Sequence, residues 1–305
     1  MNEPSLKYVS CPDATGGHRM AYWQWGQADG AHVVVCVHGL SRQGRDFDVL
    51  AYALCELGKT MPGGIRVICP DVAGRGESDW LKDPLAYEIP TYAGDMVLLL
   101  AHLHAEAPMK SFDWVGTSMG GLIGMVVCGH EGLSLRVPVR RVVFNDVGPA
   151  LEWQALVRIG TYLGLAGYFN TVEDAADAMW AISSGFGPHT PDQWLALSSY
   201  MVRPVSQNES RLRMHYDPAI ALAFKQATEE STLQGEAILW HLYDNIKAKT
   251  LVLRGMNSDL LSPHTAMAMT QRGPHARLVE FEGVGHAPTM IASDQLSVVT
   301  EFLLA

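Results

Sequence analysis

Phe112-Asp113-Trp114-Val115-Gly116-Thr117-Ser118-Met119-Gly120-Gly121 passes from a strand-like run into a compact apolar helix, Met119 to Cys128, through a serine flanked by glycines. The centre of this stretch, Gly116 to Gly120, has the pattern G-x-S-x-G. A strand-to-helix turn this sharp holds its serine in a strained backbone conformation, and larger neighbours in place of the glycines would clash. The turn also leaves the hydroxyl at a helix N-terminus, where developing negative charge is favoured. Ser118 is therefore a candidate nucleophile.

Working outward, the same alternation recurs. His32-Val33-Val34-Val35-Cys36-Val37 stops at His38-Gly39, and Arg66-Val67-Ile68-Cys69 stops at Pro70-Asp71. Arg141-Val142-Val143-Phe144 ends at Asn145-Asp146, and Thr250-Leu251-Val252-Leu253 ends at Arg254-Gly255. Leu278-Val279-Glu280-Phe281 ends shortly before Gly283. Runs that are apolar on both faces belong inside a parallel sheet covered by helices on both sides. The connecting segments have helical spacing. Tyr92 to Glu106 carries Met96, Leu99, Leu100 and Leu103 on one face, Ser262-Pro263 opens a further helix, and Asp294 to Leu304 forms another. The pattern predicts an α/β fold with a doubly wound, mostly parallel sheet.

From about Ala150 to Asn245 the rhythm breaks, and no strand pattern stands out. The segment is expected to be an all-helical insertion. It holds 12 of the 26 aromatic residues, among them Trp153, Trp180, Trp194 and Trp240. The expected organisation is a core formed by 1–149 and 246–305, with a helical cap over 150–245. An insertion beside the C-terminal ends of the strands is where a lid over a pocket belongs.

Composition narrows the function. The chain has 305 residues, 48% hydrophobic and 18% charged, enough apolar content for a large core. Its 22 basic and 32 acidic residues give −10, with no Lys/Arg run, the wrong field for a phosphate backbone. Five cysteines without C-x-x-C spacing are expected as reduced, mostly structural thiols. Met1-Asn2-Glu3-Pro4-Ser5-Leu6-Lys7 has no apolar core of a signal peptide, and no run reaches the roughly 18 apolar residues of a membrane span. The expectation is a soluble, cytoplasmic protein whose partner is a small molecule, with neither nucleic acid nor membrane involved. No HExxH, Walker lysine or dinucleotide glycine motif is present, so neither metal nor cofactor is expected.

A serine hydroxyl needs a base, and the base needs an orienting anion. Of the 12 histidines, His286 stands in a loop after a strand, between Gly285 and Pro288, where it could reach Ser118. His264 and His275 flank a surface helix, His102 and His104 lie on a helix, and His215 and His241 lie in or near the insertion. His38 is expected to shape a turn.

Five motifs together carry a resemblance: His38-Gly39-Leu40; Asp71-Val72-Ala73-Gly74-Arg75-Gly76-Glu77-Ser78; Gly116-Thr117-Ser118-Met119-Gly120-Gly121; Arg254-Gly255-Met256-Asn257-Ser258-Asp259; and Gly283-Val284-Gly285-His286-Ala287-Pro288. From about Arg19 to Ala305 the chain resembles the α/β-hydrolase superfamily, with the insertion in the place of its cap domain. The resemblance implies Ser118 as nucleophile, His286 as base and Asp259 as acid, in the chain order Ser, Asp, His. Asp146 is the rival acid, because some members place theirs after the preceding strand. The backbone N–H groups of Leu40 and Met119 are the implied oxyanion donors. Arg42 and Arg75 are nearby cations, Arg75 fastening its glycine-rich loop or contacting a substrate carboxylate. A serine at the elbow argues against the Asp-nucleophile members, haloalkane dehalogenases and epoxide hydrolases.

The implied activity is hydrolysis of carboxylic esters with small to medium acyl groups, through an acyl-enzyme on Ser118. Alternatives stay open: a C–C hydrolase of vinylogous diketones, a lactonase, thioesterase or oligoester hydrolase, and a non-enzymatic small-molecule receptor on the same fold.

Overall fold

A computed structural model of the chain describes residues 3–133, 135–165, 167–206 and 209–305; Met1 and Asn2 of the opening segment lie outside them. The first six strands are β1 Ser5–Cys11, β2 His18–Gly26, β3 His32–Val37, β4 Ile65–Pro70, β5 Ser111–Thr117 and β6 Val139–Asn145. After β6 comes the insertion, with three short strands, β7 Tyr168–Phe169, β8 Val202–Ser206 and β9 Glu209–Met214. The chain then returns with β10 Lys249–Gly255 and β11 Arg277–Phe281. Eight strands form one sheet in the order β1-β2-β4-β3-β5-β6-β10-β11. β1 and β2 are antiparallel to their neighbours, and β4 through β11 along this order run parallel. The six strands expected from apolar runs are the parallel part of the sheet.

Every residue of β3 is buried, and its side chains alternate between two cores. Val33, Val35 and Val37 pack with Met96, Leu99 and Ile123, which lie on α2 Ile89–Glu106 and α3 Met119–Gly129. Val34 and Cys36 pack on the opposite face with Leu50, Leu54 and Leu303. Those leucines come from α1 Asp48–Leu57 and from the last helix, Ser293–Leu304. Helices thus cover both faces, which is why the strand is apolar throughout. β3 pairs with β4 on one side and β5 on the other, so the strand order reverses there. Such a reversal opens a crevice at the carboxyl ends of the strands, where ligands bind in open α/β sheets. Ser118 follows β5 and Leu40 follows β3 at that crevice.

The insertion is not all helical. Between β6 and β10 lie α4 Trp153–Tyr162, α5 Val172–Ser183, α6 Pro191–Ser199, α7 Ile220–Lys225 and α8 Glu229–Asn245. The same segment holds a three-stranded antiparallel sheet in the order β7-β9-β8. The physical reasons it escapes a sequence pattern are visible in its residues. β7 has two residues, β8 contains Pro204, and β9 carries Glu209, Arg211 and Arg213. Proline is tolerated because β8 is an edge strand. The insertion has a small core of its own, where Trp194 packs with Ala176, Met179 and Leu197 and stacks edge-on against Trp180 and Phe186. Among the described residues no helix is long and apolar enough to cross a membrane.

Candidate active site

Ser118 sits between β5 and α3 with φ 52° and ψ −117°, the strained conformation expected of the elbow. Its tightness requires glycine at two positions. A Cβ on Gly116 would collide with the Gly120 carbonyl, and one on Gly120 with the Val37 carbonyl. The turn is tethered by Trp114, whose Nε1–H donates to the Gly120 carbonyl at 3.0 Å, and by the Ser118 N–H donating to the Asn145 carbonyl at 3.0 Å.

His286 lies in the loop after β11, and its Nε2 is 2.9 Å from Ser118 Oγ. Its Nδ1 is 2.8 Å from Asp146 Oδ2. With the proton on Nδ1, the ring donates to Asp146 and accepts from the Ser118 hydroxyl. The structure therefore brings Ser118 and His286 together as expected, and the carboxylate it brings to them is Asp146, the rival, rather than Asp259. Asp146 is fully buried at the end of β6, with φ 56°. Two further donors reach it from the loop after β10. The Gly255 N–H donates to Oδ1 at 2.8 Å and the Ser258 hydroxyl donates to Oδ2 at 2.6 Å. A buried carboxylate so surrounded is held in one orientation.

Asp259 lies one residue beyond Ser258, yet turns outward. Arg158 of α4 grips it through Nε to Oδ2 at 2.6 Å and Nη2 to Oδ1 at 3.0 Å. Both side chains are about half exposed, 40% and 46%, so the pair is a solvated tie between insertion and core. The loop after β10 keeps a place in the site, but it supplies donors to Asp146 instead of a carboxylate to His286.

Three residues at this site have roles that the sequence pattern did not assign. Ser258 holds Asp146. Arg158 captures Asp259. Asn145 joins the elbow to the histidine loop, donating from Nδ2 to Thr117 Oγ1 at 3.0 Å and to the Pro288 carbonyl at 2.7 Å. Asn145 stands next to Asp146 at a strand end, which was the available signal; the other two depend on contacts more than 100 residues apart along the chain.

Leu40 follows the His38-Gly39 turn, and the Leu40 N–H has no hydrogen-bond partner among the described residues. Met119 is the first residue of α3, where an N–H has no acceptor within its helix. His38 is fully buried and shapes this loop. Its Nδ1 is 2.7 Å from the Gly39 carbonyl, and its Nε2 accepts from the Val72 N–H at 2.9 Å. Burial pushes the ring down from its ordinary 6.5 to about 3. An unfolded His38 takes up its proton near 6.5 and the folded one only near 3, so in that window the unfolded chain binds more protons. Stability from this group is lost as pH falls through that window, by at most about 1.4 kcal/mol per pH unit. His38→Gln, which keeps an acceptor for Val72, is expected to lower the pH dependence of the melting temperature between pH 6.5 and 4.5. Equal slopes for the two proteins would refute this.

Three spaces meet the Ser118–His286 pair, and the smallest, about 100 Å³, touches both residues together with Leu40, Arg42 and Phe186. A cavity of about 410 Å³ extends from Ser118 under the insertion, lined by Leu122, Leu156, Ile159, Phe224 and Leu239. A polar cleft of about 590 Å³ opens beside His286, between Arg158, Asn257 and Asp259.

A family model described as the alpha/beta hydrolase fold matches residues 32–291. The chain belongs to the alpha/beta hydrolase family. It is 46% identical over 300 residues to a 3-hydroxybutyrate-oligomer hydrolase of Cupriavidus necator, covering 98% of this chain and 97% of the relative. Among solved structures, an alpha/beta hydrolase from Novosphingobium aromaticivorans superposes with a TM-score of 0.82 at 32% identity, covering 100% of this chain and 99% of that one. An E-2-(acetamidomethylene)succinate hydrolase shares the fold with a TM-score of 0.73 at 21% identity, covering 98% and 100%.

In this alpha/beta hydrolase the described residues contain one cluster with the makings of a metal site, away from Ser118: Cys11, His18 and Asp95, all buried. Its polar atoms already satisfy one another. His18 bridges Asp13 at 3.2 Å and Asp95 at 3.1 Å, and the Asp95 hydrogen bond raises its pKa. The cluster is accounted for as a buried imidazole between two carboxylates.

Proposed function

We propose that this alpha/beta hydrolase is a serine carboxylesterase acting on short linear oligoesters, with 3-hydroxybutyrate oligomers as its substrate class. The observation that carries the reading is His286 in simultaneous hydrogen-bond contact with Ser118 and Asp146. The named relative in Cupriavidus necator supports the substrate class.

In this mechanism Ser118 Oγ attacks the ester carbonyl carbon while His286 Nε2 takes the hydroxyl proton. Asp146 keeps the ring in the tautomer that can accept it and stabilises the imidazolium. The carbonyl oxygen, now an anion, is received by the N–H groups of Leu40 and Met119. His286 returns the proton to the departing alcohol oxygen. Water, deprotonated by the same ring, then releases the acid from Ser118.

The insertion, 150–245, serves as the cap of this site, since α4, α7 and α8 supply Leu156, Ile159, Phe224 and Leu239 to the cavity wall. A mainly apolar wall suits a repeating unit with one methyl branch and an uncharged ester. The test is a substrate panel: 3-hydroxybutyrate dimers and trimers, p-nitrophenyl butyrate, a butyryl thioester, a lactone and a vinylogous diketone. The oligoesters are expected to give the highest kcat/KM, by about tenfold or more over the thioester and lactone. Preference for the diketone would replace the reading with C–C hydrolysis, and absence of turnover on every member would favour a receptor.

A further inference from the structure

We propose that Arg75 is a positioning residue for the oxyanion hole, clamping Leu40 to Met119 and setting a permanent positive charge beside them. The proposal rests on the reading above, in which the N–H groups of those two residues receive the oxyanion.

Arg75 is fully buried. Its Nε donates to the Leu40 carbonyl at 2.8 Å, and its Nη2 lies 3.5 Å from Met119 Sδ. Nη1 donates to the Ala73 carbonyl at 2.7 Å and to the Tyr92 hydroxyl at 2.8 Å. One guanidinium therefore touches both halves of the hole, which come from loops after different strands, β3 and β5. All four partners are neutral, and the ring of Tyr92 lies 4.9 Å from the guanidinium carbon.

Three features separate this role from simpler ones. Fastening the glycine-rich loop requires the bond to Ala73 alone, and the bonds to Leu40 and Met119 reach beyond it. Contact with a substrate carboxylate is disfavoured because four of the five N–H donors are engaged and the residue is closed to solvent. A buried cation facing only neutral acceptors is costly to desolvate, and such a charge acts most strongly on an anion that forms nearby in a site shielded from water.

The same loop also docks the insertion. The Gly76 N–H donates to the His215 carbonyl at 3.0 Å, the Asp217 N–H donates to the Gly74 carbonyl at 2.8 Å, and Arg75 forms a β-bridge with Tyr216. Seating of the insertion and the shape of the oxyanion hole thus share one short backbone segment.

The experiment compares Arg75→Gln and Arg75→Lys with the parent protein on p-nitrophenyl butyrate, together with inhibition by butylboronic acid, whose Ser118 adduct is a tetrahedral anion. The glutamine variant is expected to lose about 10²-fold in kcat with KM changed less than about threefold. Boronate affinity should fall by a similar factor. The lysine variant, which keeps the charge and loses the fork, should lie between. A folded Arg75→Gln protein with kcat within about threefold of the parent would overturn the proposal, as would a raised KM at constant kcat or unchanged boronate affinity. If the glutamine variant does not fold, the lysine variant decides by the same two readouts. Turnover surviving Ser118→Ala would overturn the underlying reading; an inactive Ser118→Ala beside a normal Arg75→Gln overturns the Arg75 proposal alone.

Discussion

Ser118→Ala is expected to lower ester turnover by about 10⁵- to 10⁶-fold, near 8 kcal/mol of transition-state stabilisation at the upper end. The expected size follows from the unit to which Ser118 belongs. In the proposed mechanism its hydroxyl is the attacking atom, so His286 and Asp146 would have nothing to activate once it is gone, and only the proposed oxyanion donors and the cavity would still assist water. The fold should survive. Ser118 holds its φ of 52° without a side-chain cap hydrogen bond, and alanine at that φ is no more strained than serine. Turnover of p-nitrophenyl butyrate and stoichiometric labelling by a fluorophosphonate are the measurements. Retention of more than about 1% of the parent kcat, with the label still attaching, would mean that another nucleophile performs the reaction.

The second large effect separates two aspartates. Asp146→Asn is expected to lower kcat by about 10⁴-fold, and Asp259→Asn to change it by less than about threefold. An asparagine at 146 must present its NH₂ to at least one of the three groups that now donate to the carboxylate: the Gly255 N–H, the Ser258 hydroxyl or His286 Nδ1. Facing His286, it turns the ring to the tautomer that cannot accept the serine proton. Facing Gly255, it sets two N–H donors against each other in a fully buried place. Asp259 has only its half-exposed pairing with Arg158 to lose, and such surface pairs contribute about 0–1 kcal/mol. The comparison is made on kcat for one ester with both melting temperatures in hand. Asp259→Asn as the inactive member of the pair would return the acid role to the loop after β10.

Why the sequence points to Asp259 while the structure sets Asp146 against His286 is a matter of local geometry. Asp146 and Asp259 occupy equivalent-looking positions, in loops after adjacent parallel strands, β6 and β10. Spacing along the chain cannot say which carboxylate faces His286. The choice depends on a left-handed turn at Asp146, on donors from Gly255 and Ser258, and on an arginine 101 residues from Asp259. The insertion taught the same lesson. Its helices carry caps that are local signals, such as Thr171 with Asp174 and Thr190 with Gln193. Its sheet joins Phe169 to Leu212, a pairing no window of sequence contains.

The sequence alone determined what depends on neighbours along the chain. Strands apolar on both faces imply a parallel sheet between helices, the glycines around Ser118 imply an elbow, and a histidine in a loop after the last strand was within reach of it. Tertiary structure decided what depends on orientation across the sheet. It set Asp146 rather than Asp259 against His286, put Ser258 behind Asp146 and Asn145 between the elbow and the histidine loop, and turned Arg75 onto Leu40 and Met119. The physical reason is range: propensity and periodicity act over a few residues, whereas a side chain's direction at a strand end is set by hydrogen bonds and packing from strands and loops distant in the chain.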